Sequence, residues 1–419
     1  MQIVILAVLG FIFVMGLAIL VHELGHFMAA RKFGVLCHQF AIGMGPALWK
    51  KRKGETLYKI CAIPIGGYVM MGMDEGERDI IKEGTEIGLT LDSDGHVVKI
   101  HIAPEEGQLA GTLISNTIDI SADLQIAVLV AGERQVYPVS REAWYIDSAK
   151  DQTQQIVPSD RRLEQKPKLQ RLIIMAAGAM MNFVLAYVLV LIIGAFLGEA
   201  VGWQLGAVNQ GEPAYEAGLR AGDTLLEMDG VPVTDGNLIF SQVQASDGNE
   251  LVVRFERDGV VHETVVLPNV QDDTFVIGIT IDPILERSFW GTFRFANEQY
   301  RTGLMLIFDT LRMLGSGEAG VGDLAGPVGI AYVIGQVAAQ GFWPLLMFAS
   351  VINIQLGIFN LIPFPALDGG HMMFIGIEAI MGKPVSPKIQ HGIAIVGFIA
   401  LMGLMVFVTF NDVFRFVLE

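Results

Sequence analysis

Apolar residues are grouped along this chain into four long stretches without a charged residue. They cover 3–21, 172–198, 324–367 and 392–411. A bilayer core about 30 Å thick needs roughly 20 apolar helical residues. Each stretch therefore predicts one membrane span, the third from residue 342 onward. Only Met1 and Gln2 precede the first, without the basic residues of a signal peptide, so we expect it to be retained.

The composition agrees with a membrane protein and excludes one class of partner. The chain is 52% hydrophobic and only 17% charged, with 28 basic against 44 acidic residues. A net charge of −16 argues against a nucleic-acid partner, because phosphate binding needs a basic face. The two cysteines, Cys37 and Cys61, are too few for a disulfide framework.

Lysine and arginine near the span ends predict the orientation. Basic residues follow the first stretch (Arg31, Lys32) and cluster at 161–171, before the second, whereas 199–341 has 7 basic and 20 acidic residues. Because basic residues favour the cytoplasmic side, we expect cytoplasmic loops over 31–171 and 382–391. Both termini would then be extracytoplasmic, in a multi-pass protein of the cell membrane.

Short β-type runs and turn residues fill the long acidic region. Two runs, 251–255 and 260–266, flank Asp258-Gly259, a two-residue hairpin turn. Residues 216–233 resemble the signature of PDZ domains, which bind peptides by adding a strand to a sheet edge. On that pattern the candidate peptide-binding residues are Gly218, Leu219 and Gly222. The alternative is a generic small β domain with turns at these glycines.

The region between the first two spans also has a β-type pattern. Glycine-punctuated runs around Gly43, Gly66 and Gly67 predict a membrane-associated β-loop, since apolar strands beside a span need a partner for their backbone groups. A short hairpin on the cytoplasmic surface is the alternative. Further β-type runs predict a folded cytoplasmic insertion.

The fold class predicted is thus a polytopic α-helical membrane protein with four transmembrane helices, a membrane-associated β-loop, a β-rich cytoplasmic insertion and one extracytoplasmic PDZ-like domain. The expected segments are the first transmembrane helix (1–32), the β-loop (33–79), the insertion (80–165), the second transmembrane helix (166–200), the PDZ-like domain (201–285), an extracytoplasmic amphipathic segment (286–341), the third transmembrane helix with a broken end (342–380), and a cytoplasmic loop with the fourth transmembrane helix (381–419).

The end of the first stretch has the pattern H-E-x-x-H. Residues i and i+4 of a helix share a face, so His22 and His26 can bind one metal ion while Glu23 reaches a water molecule on it. Charged groups are costly at membrane depth, so this setting favours a metal site over a chance match. Zinc hydrolases usually have three protein ligands and leave a fourth position for water.

The third ligand is predicted near the break in the third stretch. Asp368 is the charged residue that ends this stretch, and it follows Pro363 and Pro365, which interrupt the helix. A helix N-cap is the alternative role for Asp368, and His371 is a competing ligand. Asn360 is the candidate donor to the oxyanion of the reaction, with an interhelical hydrogen bond as its alternative.

These residues together resemble the site-2 protease family of intramembrane zinc metalloproteases, in its bacterial regulator-of-sigma-E-protease type and its single-PDZ form. The matching elements are His22 to His26, 40–46, 66–68, 178–182, 324–327 and 360–370. In 178–182 the chain has Gly178-Ala179 where the family usually has Gly-Pro, which bears on the local kink. The resemblance implies zinc ligands at His22, His26 and Asp368, a general base at Glu23, and substrate contacts from Gly43, Gly66, Gly67 and Asn182.

The resemblance also implies a function. Such enzymes bind one Zn²⁺ and cut the transmembrane segments of single-span proteins, among them anti-sigma factors after a first external cut and remnant signal peptides. The expected partners are therefore these substrates and membrane lipid. Two alternatives from other classes are a membrane PDZ scaffold with a structural metal site and a metal transporter.

Overall fold

The structure is a computed structural model that describes residues 2–72, 83–102, 108–114, 123–149, 152–271, 274–318, 320 and 325–415. The chain forms two compact units, one of residues 1–186 with 303–419 and one of residues 187–302. Its helices are α1 (Gln2–Lys32), α2 (Lys168–Leu197), α3 (Pro213–Glu216), α4 (Gly236–Ala245), α5 (Phe289–Ser316), α6 (Pro327–Gln340), α7 (Phe342–Leu361), α8 (Asp368–Met381) and α9 (Pro387–Val413). A short 3-10 turn covers Ser159–Arg161.

Four of these helices, α1, α2, α7 and α9, are long and apolar enough to cross a membrane. The four spans predicted from the apolar stretches are thereby confirmed at the level of length and composition. Helix α2 is continuous through 178–182, where this sequence lacks the proline that would remove a backbone hydrogen bond.

The third apolar stretch contains more than one helix. Gly341, at a φ of 125° that favours glycine, separates α6 from α7. Helix α6 falls in the segment expected to be amphipathic and external, but it has no charged residue and packs against α1, where Ile334 lies beside Gly10. Its first turn is capped by Asp412 of α9, which accepts bonds from the backbone N–H groups of Gly326 (3.2 Å) and Gly329 (2.7 Å). The amphipathic description therefore applies to α5 alone, and Leu324 of the preceding motif lies outside the described residues.

The strands are β1 (Cys37–Lys53), β2 (Thr56–Met71), β3 (Glu86–Leu91), β4 (Val97–Ile102), β5 (Leu109–Leu113), β6 (Gln125–Val130), β7 (Glu133–Asp147), β8 (Gln152–Gln155), β9 (Glu199–Val208), β10 (Thr224–Met228), β11 (Val231–Pro232), β12 (Leu251–Arg257), β13 (Val260–Val266), β14 (Asn269–Gln271), β15 (Thr274–Val276) and β16 (Ile279–Glu286).

Strands β1 and β2 are each bent, so that each contributes two paired segments. We call these four segments the small sheet. Residues 37–42 lie antiparallel to 67–71, from Cys37↔Met71 to Ile42↔Gly67. Residues 39–42 also pair with 57–60. The residue numbers increase in the same direction on both segments, so this pairing is parallel. Residues 56–60 in turn pair antiparallel with 49–53. The order is thus 67–71, 37–42, 56–60, 49–53, with two edge segments.

Residues 86–155 form a β structure around their own core. The sheet order is β4-β3-β5-β6-β7-β8, and β4 also pairs in parallel with β7, so β3 to β7 close on themselves. Closure satisfies the edges that an open sheet would expose. The enclosed core includes Ile87, Ile100, Ile126 and Tyr145, each at most 2% exposed.

The closed sheet lies against the far edge of the small sheet. The guanidinium of Arg52 donates to the carbonyl of Thr153 (2.8 Å) and lies 5.0 Å from the ring centre of Trp144. Arg161 then makes two bonds to Glu55, at 2.8 and 2.9 Å. These contacts join the insertion to the edge segment 49–53 and its turn.

The unit of residues 187–302 contains a sheet of order β13-β12-β10-β9-β16, with β11 beside β10. The hairpin predicted at Asp258-Gly259 is confirmed, with Arg257 paired to Val260. Asp223 is 1% exposed and accepts two bonds from Arg257, both at 2.7 Å. Leu219 is fully buried in the core of this unit.

The buried imidazole of His38 predicts a pH-dependent stability. It is 5% exposed, and burial, with Arg52 and Arg161 nearby, lowers the pKa of His38 from 6.5 to about 4. Folding thus disfavours its protonated form, so its stabilising effect is complete above pH 6.5 and is lost as the pH falls toward 4. We expect the thermal midpoint to drop between pH 7.5 and 5. In His38→Gln, which cannot titrate, that drop should be smaller; an equal drop in both proteins would contradict the assignment.

Candidate active site

Two histidines of α1 face inward near its C-terminal end. His22 and His26 lie one helical turn apart and are 9% and 6% exposed. Their Nε2 atoms are 3.1 Å apart. Since neutral imidazole nitrogens without a proton are acceptors only, two of them so close point to a shared cation.

Asp368 joins them from a different part of the chain. The backbone leaves α7 after Leu361, passes two prolines and takes a φ of 83° at Ala366, and α8 then begins with Asp368 itself. The N-cap is Leu367, and no side chain caps this helix. Asp368 is therefore not the N-cap of α8.

The three side chains present one ligand atom each to a common point. Asp368 Oδ2 lies 3.2 Å from Nε2 of His22 and 3.2 Å from Nε2 of His26, so the three atoms form a nearly equilateral triangle. Ligand atoms on one face of a tetrahedron with bonds of about 2.0–2.2 Å are roughly 3.3–3.5 Å apart. Within the described residues, Asp368 Oδ2 is buried and makes no hydrogen bond of regular geometry. The donor set thus fits a divalent cation such as zinc.

Both rings are oriented from behind by α2. His26 Nδ1 is 2.8 Å from the carbonyl oxygen of Ile174, to which it can only donate, so the Nε2 atom of the neutral ring has no proton. His22 Nδ1 lies 3.2 Å from the carboxamide of Asn182, which is fully buried. The structure places Asn182 Nδ2 toward the ring, and with the amide rotated by 180° its Oδ1 would accept the Nδ1–H of His22. Hydrogen bonds of this kind hold metal-binding histidines in the required tautomer.

Gly178 leaves the space that the histidines occupy. A Cβ atom at this position would lie 2.7 Å from His22 Nε2 and would overlap His26 Nε2. Gly25 has a similar role, since its Cβ would overlap the carbonyl oxygen of Ala177. The close approach of α1 to α2 therefore depends on one glycine from each helix.

Glu23 and the small sheet meet beside this cluster. A Cβ on Gly67 would lie 2.8 Å from Glu23 Cγ and 2.9 Å from the carbonyl oxygen of Ala41. The edge segment 67–71 thus begins in contact with Glu23. Gly43 and Gly66 have positive φ values of 82° and 75° within the bent strands of the small sheet, and their role as substrate contacts stays a prediction.

The other predicted residues lie outside the cluster. Asn360 is half-buried in the last turn of α7, and His371 is exposed on α8. Among the described residues, His22, His26 and Asp368 form a group that could hold a metal ion, and His371 is not part of it.

The residues predicted to bind a peptide do not line the groove of their unit. A cavity of about 320 Å³ lies between α4 and the chain from Gln271 to Ile281. Gly218, Leu219 and Gly222 are not part of its lining, since Leu219 is buried and both glycines occupy turns with positive φ. The role of these three residues as peptide contacts therefore stays a prediction.

Sequence reasoning missed one contributor to the cluster, the carbonyl of Ile174. A backbone carbonyl has no sequence signature, because every residue carries one.

This geometry is that of a metal-dependent hydrolase within membrane helices, and comparison with known proteins agrees. The model of Peptidase family M50 matches residues 10–404. The chain therefore belongs to Peptidase family M50, as its resemblance to site-2 proteases predicted.

Curated relatives match over nearly the whole chain. Zinc metalloprotease RasP of Shouchella clausii is 34% identical over 97% of this chain and 98% of its own length. Regulator of sigma-W protease RasP of Bacillus subtilis is also 34% identical, with the same two coverages. A putative zinc metalloprotease of Staphylococcus aureus is 31% identical over 98% and 99%. The protein is thus a zinc metalloprotease of the membrane-embedded type.

The space at Gly178 yields a direct test of the cluster. Gly178→Ala adds a methyl group where the two imidazoles lie, so we expect zinc content to fall by at least about tenfold, which is the effect of disturbing orienting groups. Gly16→Ala is the matched control, because a Cβ there meets nothing within 4 Å on α1. Zinc per purified chain is the measurement. Equal zinc in both variants would show that the metal binds elsewhere.

Proposed function

We propose that His22, His26 and Asp368 are the zinc ligands and that Glu23 is the general base of a peptidase that cuts within transmembrane segments. The observation that carries this assignment is the triangle of ligand atoms with 3.1–3.2 Å sides, next to Glu23. When bound, zinc supplies a Lewis acid and lowers the pKa of coordinated water toward about 7.

The side chains divide the remaining work. Glu23 follows His22 directly, so its carboxylate lies where it can take a proton from the attacking water and later pass it to the leaving amine. Asn182 and the Ile174 carbonyl hold the two rings in place. Asn360, eight residues before Asp368, is our candidate for donating a hydrogen bond to the oxyanion.

The small sheet offers a way to present an unwound substrate. A helical substrate has its amide groups locked in hydrogen bonds and must be opened before attack. Segment 67–71 pairs with 37–42 on one side, and the described residues provide no strand on its other side. An extended substrate segment can add to this edge, beginning at Gly67 beside Glu23.

We infer the substrates from chemistry and from one relative. The Bacillus subtilis relative is named Regulator of sigma-W protease RasP, which supports anti-sigma factors with one transmembrane segment as substrates, after a first external cut. Remnant signal peptides are the second class, because they too are single apolar helices. The basic residues at the span ends support cytoplasmic loops at 31–171 and 382–391, with both termini outside.

Residues 201–285, within the unit of residues 187–302, are proposed to form a PDZ-like domain that hinders untrimmed substrates. Its support is the sequence signature at 216–233, a sheet with an edge strand β16, and a cavity between that region and α4. In the chain it follows the second membrane helix and precedes α5. It acts as a filter for size rather than for sequence.

Replacing Glu23 separates catalysis from metal binding. In Glu23→Gln we expect zinc content to be unchanged and cleavage of a model transmembrane substrate to fall by about 10²–10⁴-fold, the usual contribution of a general base. Glu263→Gln, on the exposed strand β13, is the control and should cleave normally. Full cleavage by Glu23→Gln would contradict the proposed mechanism.

Removal of the filter gives the complementary test. Deletion of 203–282 should leave zinc content intact and allow cleavage of substrates that still carry their external domain. The ratio of intact to trimmed substrate cut is the measurement. If intact substrates stay uncut while trimmed ones are cleaved, this unit is not a filter.

A further inference from the structure

A cavity of about 290 Å³ lies between the small sheet and helices α2, α8 and α9. Val69 and Met71 line it from the sheet, Met175 from α2, Phe374 from α8 and Ala394 from α9. Ala366 and Gly370 also line it, and these two residues flank Asp368 in the chain. Residues close to Asp368 in the chain therefore form part of the cavity wall.

Polar groups line part of this space. One of them, Arg171, donates to Glu378 at 2.8 Å, and Lys168 donates to the backbone carbonyl of Glu378 at 3.1 Å. Glu164, His371, Gln390 and His391 complete the polar part of the lining. The rest of the wall is aliphatic, aromatic or thioether, which suits apolar side chains.

The orientation of the edge segment ties the cavity to the substrate. Side chains alternate along a strand, and the Tyr68 hydroxyl donates to Gln39 at 3.0 Å while the side chains before and after Val69 avoid the cavity. Val69 and Met71 share the opposite face, two and four residues from Gly67. A strand added to this edge places its own alternate side chains on that same face.

We propose that this cavity selects substrates by the size of the apolar side chains two and four residues from the residue that pairs with Gly67. This inference rests on the proposed function and adds to it a specificity site formed by Val69, Met71, Met175, Phe374 and Ala394. The occupant is the unwound part of the substrate's transmembrane segment. Val69 and Met71 of the open edge line this cavity, and Ala366 and Gly370 of its wall flank Asp368 in the chain, which supports that occupant over a free lipid.

Filling the cavity is the first test. Ala394→Phe places a ring in it, and we expect kcat/KM for substrates with Leu or Phe at the selected positions to fall at least about tenfold relative to substrates with Ala there. Ala400→Phe is the matched control, since Ala400 is exposed on the same helix. It should leave the large-to-small ratio unchanged. Scanning Ala and Phe along the substrate segment locates the positions affected.

Enlarging the cavity is the second test and has the opposite sign. Met175→Ala should raise kcat/KM for substrates with Phe or Trp at those positions relative to Ala. If Ala394→Phe loses zinc or folds poorly, Met175→Ala still tests the specificity site. An unchanged ratio in Met175→Ala, or in a zinc-loaded Ala394→Phe that still cleaves, overturns the specificity site. Failure of the wild-type protein to cut any transmembrane substrate overturns the proposed function instead, so the two failures are distinguishable.

Discussion

The structure depends on the pairing of a buried carboxylate with two imidazoles inside an apolar helical unit. An isolated charge at membrane depth is costly, and lone pairs 3.1–3.2 Å apart repel unless a cation lies between them. A cation bound there would offset both costs. It would also link the first and third membrane segments, which requires α1 and the break before α8 to meet at one depth.

Helix α2 packs behind the two histidines and orients them. It supplies a backbone carbonyl at Ile174, an amide at Asn182 and empty space at Gly178, all on the side that faces α1. Near its beginning, Arg171 pairs with Glu378 at the far end of α8. Helix α8 is thus attached to α2 at its last turn, while its first residue reaches the histidines.

The small sheet separates two tasks between its two edges. Segment 49–53 contacts the closed β structure of the insertion through Arg52, whereas segment 67–71 begins against Glu23 and continues along the cavity. The insertion has its own core, so it gives the far edge a rigid support. The near edge remains available for an extended segment, and it carries the side chains that line the specificity site.

The four spans, the H-E-x-x-H pair and Asp368 could be predicted from the sequence, because hydropathy, helical spacing and a lone charge in an apolar stretch are local signals. The single-turn spacing of His22 and His26 requires no knowledge of other helices. The closure of the insertion sheet, the parallel pairing within the small sheet and the packing of α6 on α1 depend on contacts distant in sequence. So do the Ile174 carbonyl and the cavity beside Val69. A residue type carries no information about which distant backbone it will meet, and only the tertiary structure decides that.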